Sequence, residues 1–489
     1  MKSLEHIVTG VNVLHIRGDL GQQLAQVTLD SREVERGAMF VALRGTVIDG
    51  HQFIDRAVRS GAAAVMAETT PPDDLPDGVC WIQVADTRSA LSQVAANLYE
   101  HPSTDLKLVG VTGTNGKTSV VYILYQLFTA LGYPCGLIST VEICWPGHQE
   151  PARLTTPDIL TIQRLLRDMA NAGVTHVFME VSSHAVHQGR IDGLQFAGGV
   201  FTNITHDHLD YHGTFANYIQ AKKGFFDHLT RDAFALINED DRNGKVMVQN
   251  TPAHVVTYGL KTMAEYKGRI LENRLEGLLM KINDTQIACR LVGDFNAYNL
   301  LAAYGTAVQL GIREDEAIRA LSTCAGARGR LEVIRHPAGR IGIVDFAHTP
   351  DALEKVIQTL RDVRQGSTRV IGVVGCGGDR DKKKRPIMGG IASAGCDLVM
   401  FTADNPRSEP VDQILEEMMS GVAPDDRGKV QVIADRRQAI QVAVRLSRAG
   451  DVILVAGKGH EAYQEVGGVR HPFDDVQVLN EALEIPVIS

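Results

Sequence analysis

The sequence predicts an α/β fold in three domains, and three observations support this prediction. The chain has 489 residues, too many for a single hydrophobic core. Short apolar runs alternate with helical patterns, which is typical of parallel sheets covered by helices on both faces. A glycine-rich run also joins a predicted strand to a predicted helix in the central region. We expect a small N-terminal α/β domain, a central domain with a parallel sheet and a C-terminal α/β domain, over 1–88, 89–332 and 333–489.

The predicted strands are short and apolar in each region. In the first region they precede a proline-rich break, and in the second they follow a predicted helix over 89–100. In the third region each strand ends in a polar or glycine-rich loop, where open α/β sheets place their ligands. The strand-like runs are, in order, 38–43, 63–67, 176–180, 199–203, 233–238, 342–345, 369–374, 398–402 and 452–456.

Composition and charge exclude several classes of protein. With 44% hydrophobic and 22% charged residues, the chain is an ordinary globular protein. A formal net charge of −9 without a basic stretch argues against a nucleic-acid-binding protein. The seven cysteines are scattered and odd in number, which predicts reduced core thiols and neither a disulfide framework nor a zinc site. No run of about 18 apolar residues occurs, so we expect a cytoplasmic, monomeric protein without membrane insertion.

The most informative motif is the glycine-rich run from Gly110 to Ser119. A strand, a glycine loop and a helix N-terminus together bind triphosphates, because uncrowded backbone N–H groups and the helix dipole face the phosphate oxygens. Lys117 is placed to reach the β- and γ-phosphates, and the hydroxyl of Thr118 or Ser119 to face Mg²⁺. The match to the standard P-loop is imperfect, since Val111 stands where that pattern has glycine. The motif predicts a site for a nucleoside triphosphate and Mg²⁺.

Further candidate functional residues come directly after the predicted strands of the central region. Glu180 ends an apolar strand, which places its carboxylate at the P-loop edge of the sheet as a second metal contact. The segment 206–212 holds five metal-capable side chains, and some of them are expected to bind a divalent ion. Zinc is the competing account, but zinc prefers a regular tetrahedral set and no cysteine lies nearby. Spacing alone predicts that Lys222 and Lys223, on the next helix, are surface charges.

Four strand-end loops of the third, Rossmann-like region are rich in glycine, aspartate and arginine. A guanidinium binds a carboxylate with two hydrogen bonds, and a nearby carboxylate binds an ammonium group. Together these groups suit a zwitterionic amino acid. The loops cover 345–351, 375–381, 404–407 and 457–461.

Six motifs resemble, in order, those of the Mur ligases, the ATP-dependent amide-forming family of peptidoglycan precursor synthesis. They are most similar to the ligase that adds the third peptide residue to UDP-N-acetylmuramoyl-L-alanyl-D-glutamate. The quartet at 404–407 resembles the form that selects meso-diaminopimelate. The resemblance implies that ATP converts the D-glutamyl γ-carboxylate into an acyl phosphate, which the amino acid then attacks. The motifs lie at 112–118, 180–184, 207–212, 296–299, 329–332 and 345–352.

The resemblance also implies roles for individual residues. Lys222 is similar to a lysine whose amine takes up carbon dioxide to become a carbamate that holds a second metal, with Lys223 as the alternative register. The expected catalytic residues are Lys117, Glu180, His208 and Lys222, and the expected metal ligands are Thr118, Glu180, His208 and Lys222 as carbamate. The implied ATP contacts are Thr112, Gly113, Thr114, Asn115, Gly116, Lys117, Thr118, Asn296, Arg330, Asp345 and His348.

Two further sets of residues are implied to bind the other substrates. Diaminopimelate has a second stereocentre, distant from the reacting amine, whose carboxylate and ammonium are called the far carboxylate and the far ammonium. The far carboxylate is assigned to Arg407 and Arg380, and the far ammonium to Glu461. For the UDP-sugar dipeptide the positions are Leu29, Ser31, Thr46, Val47, Ile48, Thr155, Thr156, Ser182, Gln188 and Arg190. For diaminopimelate they are Arg380, Asp404, Asn405, Pro406, Arg407, Gly457 and Glu461.

Alternative functions differ in the motifs that they require. A lysine-adding Mur ligase lacks the arginine of the quartet, and a folate polyglutamylating ligase shares the P-loop but does not need the quartet. A P-loop switch protein would carry a guanine-reading Asn-Lys-x-Asp motif, which is not seen. A nicotinamide dehydrogenase would need a glycine where Arg380 follows the glycines at 375–378.

Overall fold

The structure is a computed structural model with two compact units, residues 1–265 with 302–313 and residues 266–301 with 314–489. Both units contain sheets of mainly parallel strands with intervening helices, which confirms the predicted α/β class. The domain boundaries near 88 and 332 remain predictions. The structure describes residues 2–45, 48–205, 207, 209–337, 339–364 and 368–484.

The first part of unit one contains a five-stranded sheet. Its elements are β1 (Lys2–Ser3), α1 (Leu4–Ile7), β2 (Val13–Arg17), β3 (Gln23–Leu24), β4 (Gln26–Thr28), β5 (Ala38–Val41), α2 (Ile54–Arg59), β6 (Ala64–Ala67), β7 (Cys80–Val84) and α3 (Thr87–Leu98). The sheet order is β2-β7-β6-β5-β4, with β2 antiparallel to β7 and the other pairs parallel. The carboxylate of Asp86 caps α3 by accepting hydrogen bonds from the next backbone N–H groups, so this helix begins at Thr87, before the predicted start at 89.

The second part of unit one contains a larger sheet with the order β11-β10-β9-β12-β8-β13-β14-β15. Its elements are β8 (Lys107–Thr112), α4 (Lys117–Ala130), β9 (Cys135–Ile138), β10 (Glu142–Trp145), β11 (His148–Pro151), α5 (Ile159–Asn171), β12 (His176–Glu180), α6 (Ser183–His187), β13 (Gly198–Phe201), α7 (Leu209–His212), α8 (Phe215–Asp227), β14 (Phe234–Asn238), α9 (Gly244–Met247) and β15 (His254–Gly259). Strand β8 lies between β12 and β13 and is parallel to both. The carboxyl ends of these three strands therefore share one edge.

Unit two contains a six-stranded sheet of order β19-β20-β24-β21-β22-β23, parallel except for β19, and an antiparallel group β16-β17-β18. Apolar side chains form one core cluster against helices α12 to α14 and another against α15 and α16. The elements are β16 (Tyr266–Arg274), β17 (Gly277–Ile282), β18 (Thr285–Cys289), α10 (Asp294–Gln309, of which 302–309 belong to unit one), α11 (Glu314–Thr323), β19 (Glu332–Arg335), β20 (Ile341–Asp345), α12 (Pro350–Val363), β21 (Val370–Cys376), α13 (Lys384–Gly395), β22 (Leu398–Ala403), α14 (Val411–Met419), β23 (Val430–Val432), α15 (Arg436–Leu446), β24 (Val452–Ala456), β25 (Tyr463–Val466), β26 (Val469–Pro472) and α16 (Asp475–Glu484).

The cysteines agree with the expectation from the sequence. All seven cysteines are buried free thiols, as predicted. Over the described part of the chain, no helix combines the length and the apolar character that crossing a membrane requires.

A buried ion pair joins α15 to α16 and gives a stability prediction. The guanidinium of Arg436 donates to the Asp475 carboxylate at 2.8 and 2.7 Å, and both side chains have 0% exposure. Arg436→Ala leaves a buried carboxylate unpaired, so we expect the free energy of unfolding to fall by about 3–5 kcal/mol. Arg437→Ala, which breaks an exposed pair with Glu481 that water and salt screen, should lower the free energy of unfolding far less. Urea denaturation measures both changes, and equal losses would contradict the argument.

Candidate active site

The loop after β8 has the backbone that a phosphate-binding loop requires. Gly113 and Gly116 have φ angles of 152° and 89°, which glycine adopts readily, and α4 begins directly at Lys117. The ammonium of Lys117 donates to the carbonyl oxygens of Gly113 and Thr114 at 2.8 and 2.9 Å. A helix N-terminus and a cation therefore lie together at the carboxyl edge of the sheet, where an anion binds well.

Two residues that the sequence reasoning did not single out hold this loop in place. The backbone oxygen of Asn203 accepts from the N–H of Thr114 at 2.8 Å, and its side-chain oxygen accepts from the N–H of Asn115 at 3.1 Å. The carboxylate of Asp241 accepts from the N–H of Ile204 at 2.9 Å. Their positions after strands β13 and β14 were the only signal in the sequence.

Gly113 leaves no room for a side chain. A Cβ at this position would lie 1.9 Å from Oγ1 of Thr202 and 3.0 Å from the oxygen of Asn203. We therefore expect Gly113→Ala to weaken ATP binding about 100-fold, because the loop must shift by roughly 1 Å or more. Gly132 is a matched control, since its φ is also positive at 86° and no described atom lies within 4 Å of its Cβ. Calorimetric titration with a non-hydrolysable ATP analogue measures both affinities, and equal weakening would refute the steric explanation.

Glu180 lies beside the P-loop, as predicted from its position at a strand end. It pairs in register with Val111 of β8 and is 1% exposed. Its Oε1 accepts from the N–H of Thr140 at 2.7 Å, whereas Oε2 is buried and has no hydrogen-bond partner among the described residues. A buried carboxylate oxygen is costly unless a cation or a donor satisfies it. A divalent cation would satisfy this oxygen, so the carboxylate fits the predicted metal contact.

Both lysines of α8 are buried, so the expectation of surface charges is wrong. The helix packs against α6, α7 and α9. Lys222 is 1% exposed, and its ammonium donates at 2.8 Å to the Gly113 carbonyl oxygen that also binds Lys117. Burial, followed by the charge of Lys117, holds the pKa of Lys222 well below its ordinary value. Lys223 instead pairs with Asp227 at 2.6 Å, so Lys222 is the lysine at the P-loop.

The predicted metal cluster at 206–212 is described in part. His206 and His208 lie outside the described residues. His212 is buried, and its Nε2 lies 3.0 Å from Oγ of Ser183, so a hydrogen bond accounts for that ring. Within the described residues, no group of three or more histidine, cysteine, aspartate or glutamate side chains is placed to hold a metal ion. The metal role of His208 stays a prediction.

Several residues that the resemblance assigns to the UDP-sugar dipeptide form one hydrogen-bond network beside Glu180. The guanidinium of Arg190 donates to Oε1 of Gln188 at 2.6 and 3.0 Å and to the carbonyl of Thr156 at 2.9 Å. Oγ1 of Thr156 donates to the carbonyl of Glu180 at 2.9 Å and lies 3.3 Å from Oγ of Ser182. Of the other assigned residues, Thr155 adjoins this network, Leu29, Ser31 and Ile48 follow β4 and β5, and Thr46 and Val47 lie outside the described residues.

The residues of unit two that the resemblance assigns to ATP lie at the end of β20 or after it, just before β19, and in α10. The buried Asp345 accepts hydrogen bonds from two backbone N–H groups at 2.7 and 2.8 Å, and burial raises the pKa of its carboxyl. The guanidinium carbon of Arg330 lies 4.6 Å from the ring centroid of Phe346. Nδ1 of His348 lies 2.8 Å from the carbonyl oxygen of Phe346. Asn296 is buried in α10 and donates to a carbonyl of the preceding loop at 2.8 Å.

The four loops predicted to bind an amino acid follow strands that neighbour one another in the order β20-β24-β21-β22. The side-chain amide of Asn405 donates to Glu461 at 2.7 Å, which joins two of these loops. Arg407 has a φ of 52° and donates to the carbonyl of Gly378 at 2.7 Å, whereas Arg380 is exposed. Guanidinium and carboxylate groups therefore meet at one edge of the sheet.

Lys458 is a buried cation of this pocket that the sequence reasoning missed. Its ammonium lies 3.0 Å from Oδ1 of Asn405, 3.5 Å from Glu461 and 3.7 Å from Oδ1 of Asp404. That Asp404 oxygen is buried and has no hydrogen-bond partner among the described residues. Burial raises the pKa of Glu461. One ammonium shared by two carboxylates leaves a pocket that suits a second ammonium, supplied by a ligand.

These features define a P-loop enzyme of the α/β class, and comparison with known proteins gives the family. Three family models match along the chain: "Mur ligase family, catalytic domain" at 23–99, "Mur ligase middle domain" at 111–307 and "Mur ligase, glutamate ligase domain" at 329–459. Their order confirms the predicted three-domain architecture. The chain belongs to the Mur ligase family, whose members are ATP-dependent ligases.

Several proteins that are similar over the full length of this chain have the same name. An enzyme of Bacteroides fragilis, "UDP-N-acetylmuramoyl-L-alanyl-D-glutamate--2,6-diaminopimelate ligase", is 49% identical over 484 residues, which cover 99% of this chain and 100% of that protein. The enzyme of that name from Cytophaga hutchinsonii is 50% identical over 481 residues, covering 98% and 99%. A solved structure of an enzyme of that name has a TM-score of 0.71 and 33% identity, and covers 99% of each chain.

Proposed function

We propose that this protein uses ATP to join meso-diaminopimelate to the D-glutamyl γ-carboxylate of UDP-N-acetylmuramoyl-L-alanyl-D-glutamate, as a cytoplasmic monomer in peptidoglycan precursor synthesis. Relatives of that name, about half identical over the whole chain, support the reaction. One observation carries the choice of amino acid. Arg407 stands beside a buried acidic pocket, so one site offers a cation for a carboxylate and carboxylates for an ammonium group.

The chemistry requires activation because a carboxylate is a poor electrophile. The γ-carboxylate oxygen attacks the γ-phosphorus in line, the bond to the ADP oxygen breaks, and an acyl phosphate forms. The amine of diaminopimelate then attacks the acyl carbon, loses a proton and expels inorganic phosphate. Lys117 and the N–H groups at the start of α4 are placed to neutralise charge on the transferring phosphoryl group.

We assign Mg²⁺ to Glu180, Thr118 and His208, and a second ion to Lys222 as its carbamate. When bound, Mg²⁺ withdraws negative charge from the transferring phosphoryl group. The shared oxygen of Gly113 supports the carbamate, because two ammonium groups on one carbonyl repel each other. The neutral amine of Lys222 adds to carbon dioxide, forming an N–C bond and releasing a proton, so that the repulsion becomes attraction.

For the amino acid, we place the far ammonium of diaminopimelate against Glu461 and Asp404 and the far carboxylate against Arg407 and Arg380. The Asp404 oxygen that accepts no hydrogen bond among the described residues is the group that the incoming ammonium would satisfy. The remaining assignments are also proposals and rest on the family resemblance. For diaminopimelate they are Asn405, Pro406 and Gly457. For ATP they are Thr112, Gly113, Thr114, Asn115, Gly116, Asn296, Arg330, Asp345 and His348. For the UDP-sugar dipeptide they are Leu29, Ser31, Thr46, Val47, Ile48, Thr155, Thr156, Ser182, Gln188 and Arg190.

A phosphate-release assay tests the proposed function. The protein is supplied with ATP, Mg²⁺ and UDP-N-acetylmuramoyl-L-alanyl-D-glutamate, and with either meso-diaminopimelate or L-lysine, while mass spectrometry follows the product. We expect phosphate and tripeptide product to appear together with diaminopimelate. Equal turnover with lysine would refute the choice of amino acid. Turnover with a folate acceptor in place of the UDP-sugar dipeptide would refute the choice of acceptor.

A further inference from the structure

The loop that carries Arg407 is bound to a second loop by one hydrogen bond between backbone groups and one from the Arg407 side chain. The first loop, 404–409, follows β22, and the second, 377–381, follows the neighbouring strand β21. The N–H of Gly378 donates to the carbonyl of Asn405 at 2.9 Å, and Arg407 donates back to the carbonyl of Gly378 at 2.7 Å. The direction of the Arg407 side chain therefore depends on the second loop and on Glu465, whose Oε2 lies 3.7 Å from Nε of Arg407.

Each loop has a non-glycine residue in the left-handed backbone region. Asp379 and Arg407 both have a φ of 52°, a conformation that ordinary side chains adopt at a cost and keep only when surrounding contacts impose it. The carboxylate of Asp379 accepts from the N–H and the hydroxyl of Ser408 at 3.1 and 2.7 Å. Asp379, the strained residue of the second loop, thus binds Ser408, which directly follows Arg407, the strained residue of the first loop.

Glu409 and Arg385 fasten both loops to helix α13. The guanidinium of Arg385, with 0% exposure, donates to the two oxygens of Glu409 at 2.8 and 3.0 Å and to the carbonyl of Gly377 at 3.1 Å. Glu409 in turn accepts from the N–H of Asp379 at 2.6 Å. The Arg385 hydrogen bonds, with those from Lys382 and Asp379, hold the pKa of Glu409 far below its ordinary value. One charged pair therefore reaches both loops.

We propose that Glu409, held by Arg385, is a positioning residue for amino-acid selection: it fixes the 377–381 and 404–409 loops to each other so that Arg407 faces the far carboxylate of the diamino acid. The inference rests on the proposed function, since it assigns the partner of Arg407. Glu409 contacts the backbone of the second loop and acts on the ligand only through Arg407.

Glu417 provides a matched control on the same arginine. Its carboxylate accepts from Arg385 at 2.8 Å, but Glu417 lies in α14 and, among the described residues, its carboxylate is bound by Arg385 and Gln413 and by neither loop. Glu409→Ala leaves Arg385 paired with Glu417, and Glu417→Ala leaves it paired with Glu409. Neither variant buries an unpaired guanidinium, so both are expected to fold.

The two variants should differ in kinetics. In the phosphate-release assay, Glu409→Ala should raise the KM for diaminopimelate about tenfold or more, as is usual when a group that orients a ligand-binding side chain is lost. The KM values for ATP and for the UDP-sugar dipeptide, and kcat at saturation, should stay within about twofold. Glu417→Ala should match the wild type, and Glu409→Gln, which keeps the acceptor for the Asp379 N–H, should fall between. Parallel rises in all three KM values, or equal behaviour of Glu409→Ala and Glu417→Ala, would overturn the positioning role.

Hydrogen–deuterium exchange provides a readout independent of turnover. Glu409→Ala should speed exchange at the N–H groups of Gly378, Asp379 and Ser408, whose hydrogen bonds join the two loops, and Glu417→Ala should not. Wild-type protein that exchanges as expected but releases no phosphate would refute the proposed function and leave the loop coupling intact. Active wild-type protein whose two variants exchange alike would refute the positioning role and leave the function intact.

Discussion

Lys222→Ala should lower kcat for ligation about 10³-fold, the size of effect seen when a group that stabilises transition-state charge is removed. The side chain is buried against the P-loop, and its ammonium shares the Gly113 oxygen with Lys117. Loss of an anionic carbamate there would remove one ligand of the proposed second metal ion. Phosphate release at saturating substrates measures the change.

Lys223→Ala is the control for this prediction. Its ammonium pairs with Asp227 at 2.6 Å, so the substitution should reduce stability while kcat stays within a few-fold of the wild-type value. A short carboxylic acid such as formate should partly restore Lys222→Ala, because it returns an anion to the cavity, and should leave Lys223→Ala unchanged. A larger loss of kcat in Lys223→Ala than in Lys222→Ala would show that the carbamate should be assigned to Lys223.

Arg407→Asn should remove most of the preference for diaminopimelate over lysine. We expect kcat/KM for diaminopimelate to fall about 10³-fold, because a site built to bind a charged group discriminates strongly against its absence. The value for lysine should hold or rise, since lysine has no far carboxylate to leave an arginine unpaired. Asparagine is chosen because it tolerates the φ of 52° at this position better than alanine does. Competition between the two amino acids in one reaction measures the ratio.

Arg380→Ala tests whether Arg380 and Arg407 contribute equally to binding the far carboxylate of diaminopimelate. Arg380 is exposed, so water and salt screen its charge and we expect about a tenfold loss for diaminopimelate. An Arg407→Asn variant that keeps the wild-type ratio of diaminopimelate to lysine would refute the assignment of the far carboxylate to Arg407.

Much of the fold could be predicted because buried parallel strands appear in sequence as continuous apolar runs. The predicted strands at 176–180 and 452–456 match β12 and β24 at both ends. The placement of Glu180 at the P-loop edge followed from the same rule, since residues at the carboxyl ends of parallel strands meet at one edge.

What the sequence could not reveal depends on packing between distant segments. Lys222 has the spacing of a surface residue and is buried, with its ammonium against the Gly113 carbonyl of the P-loop. Gly110 was counted with the phosphate loop, but it lies inside β8, where a Cβ would come within 2.5 Å of the Phe225 ring. The roles of Lys458 and Arg385 arise from contacts with residues that come from other strand ends. No local pattern encodes such contacts.

The coupling of two loops through one buried arginine affects how amino-acid preference could be redesigned. An exchange of the quartet at 404–407 alone would place new side chains on a loop that is still held by the original 377–381 loop and by Arg385. A graft that moves 377–385 together with 404–409 would carry the anchor with it. If Glu409 has the proposed positioning role, swaps confined to one of these two segments should yield enzymes with weak activity toward either amino acid.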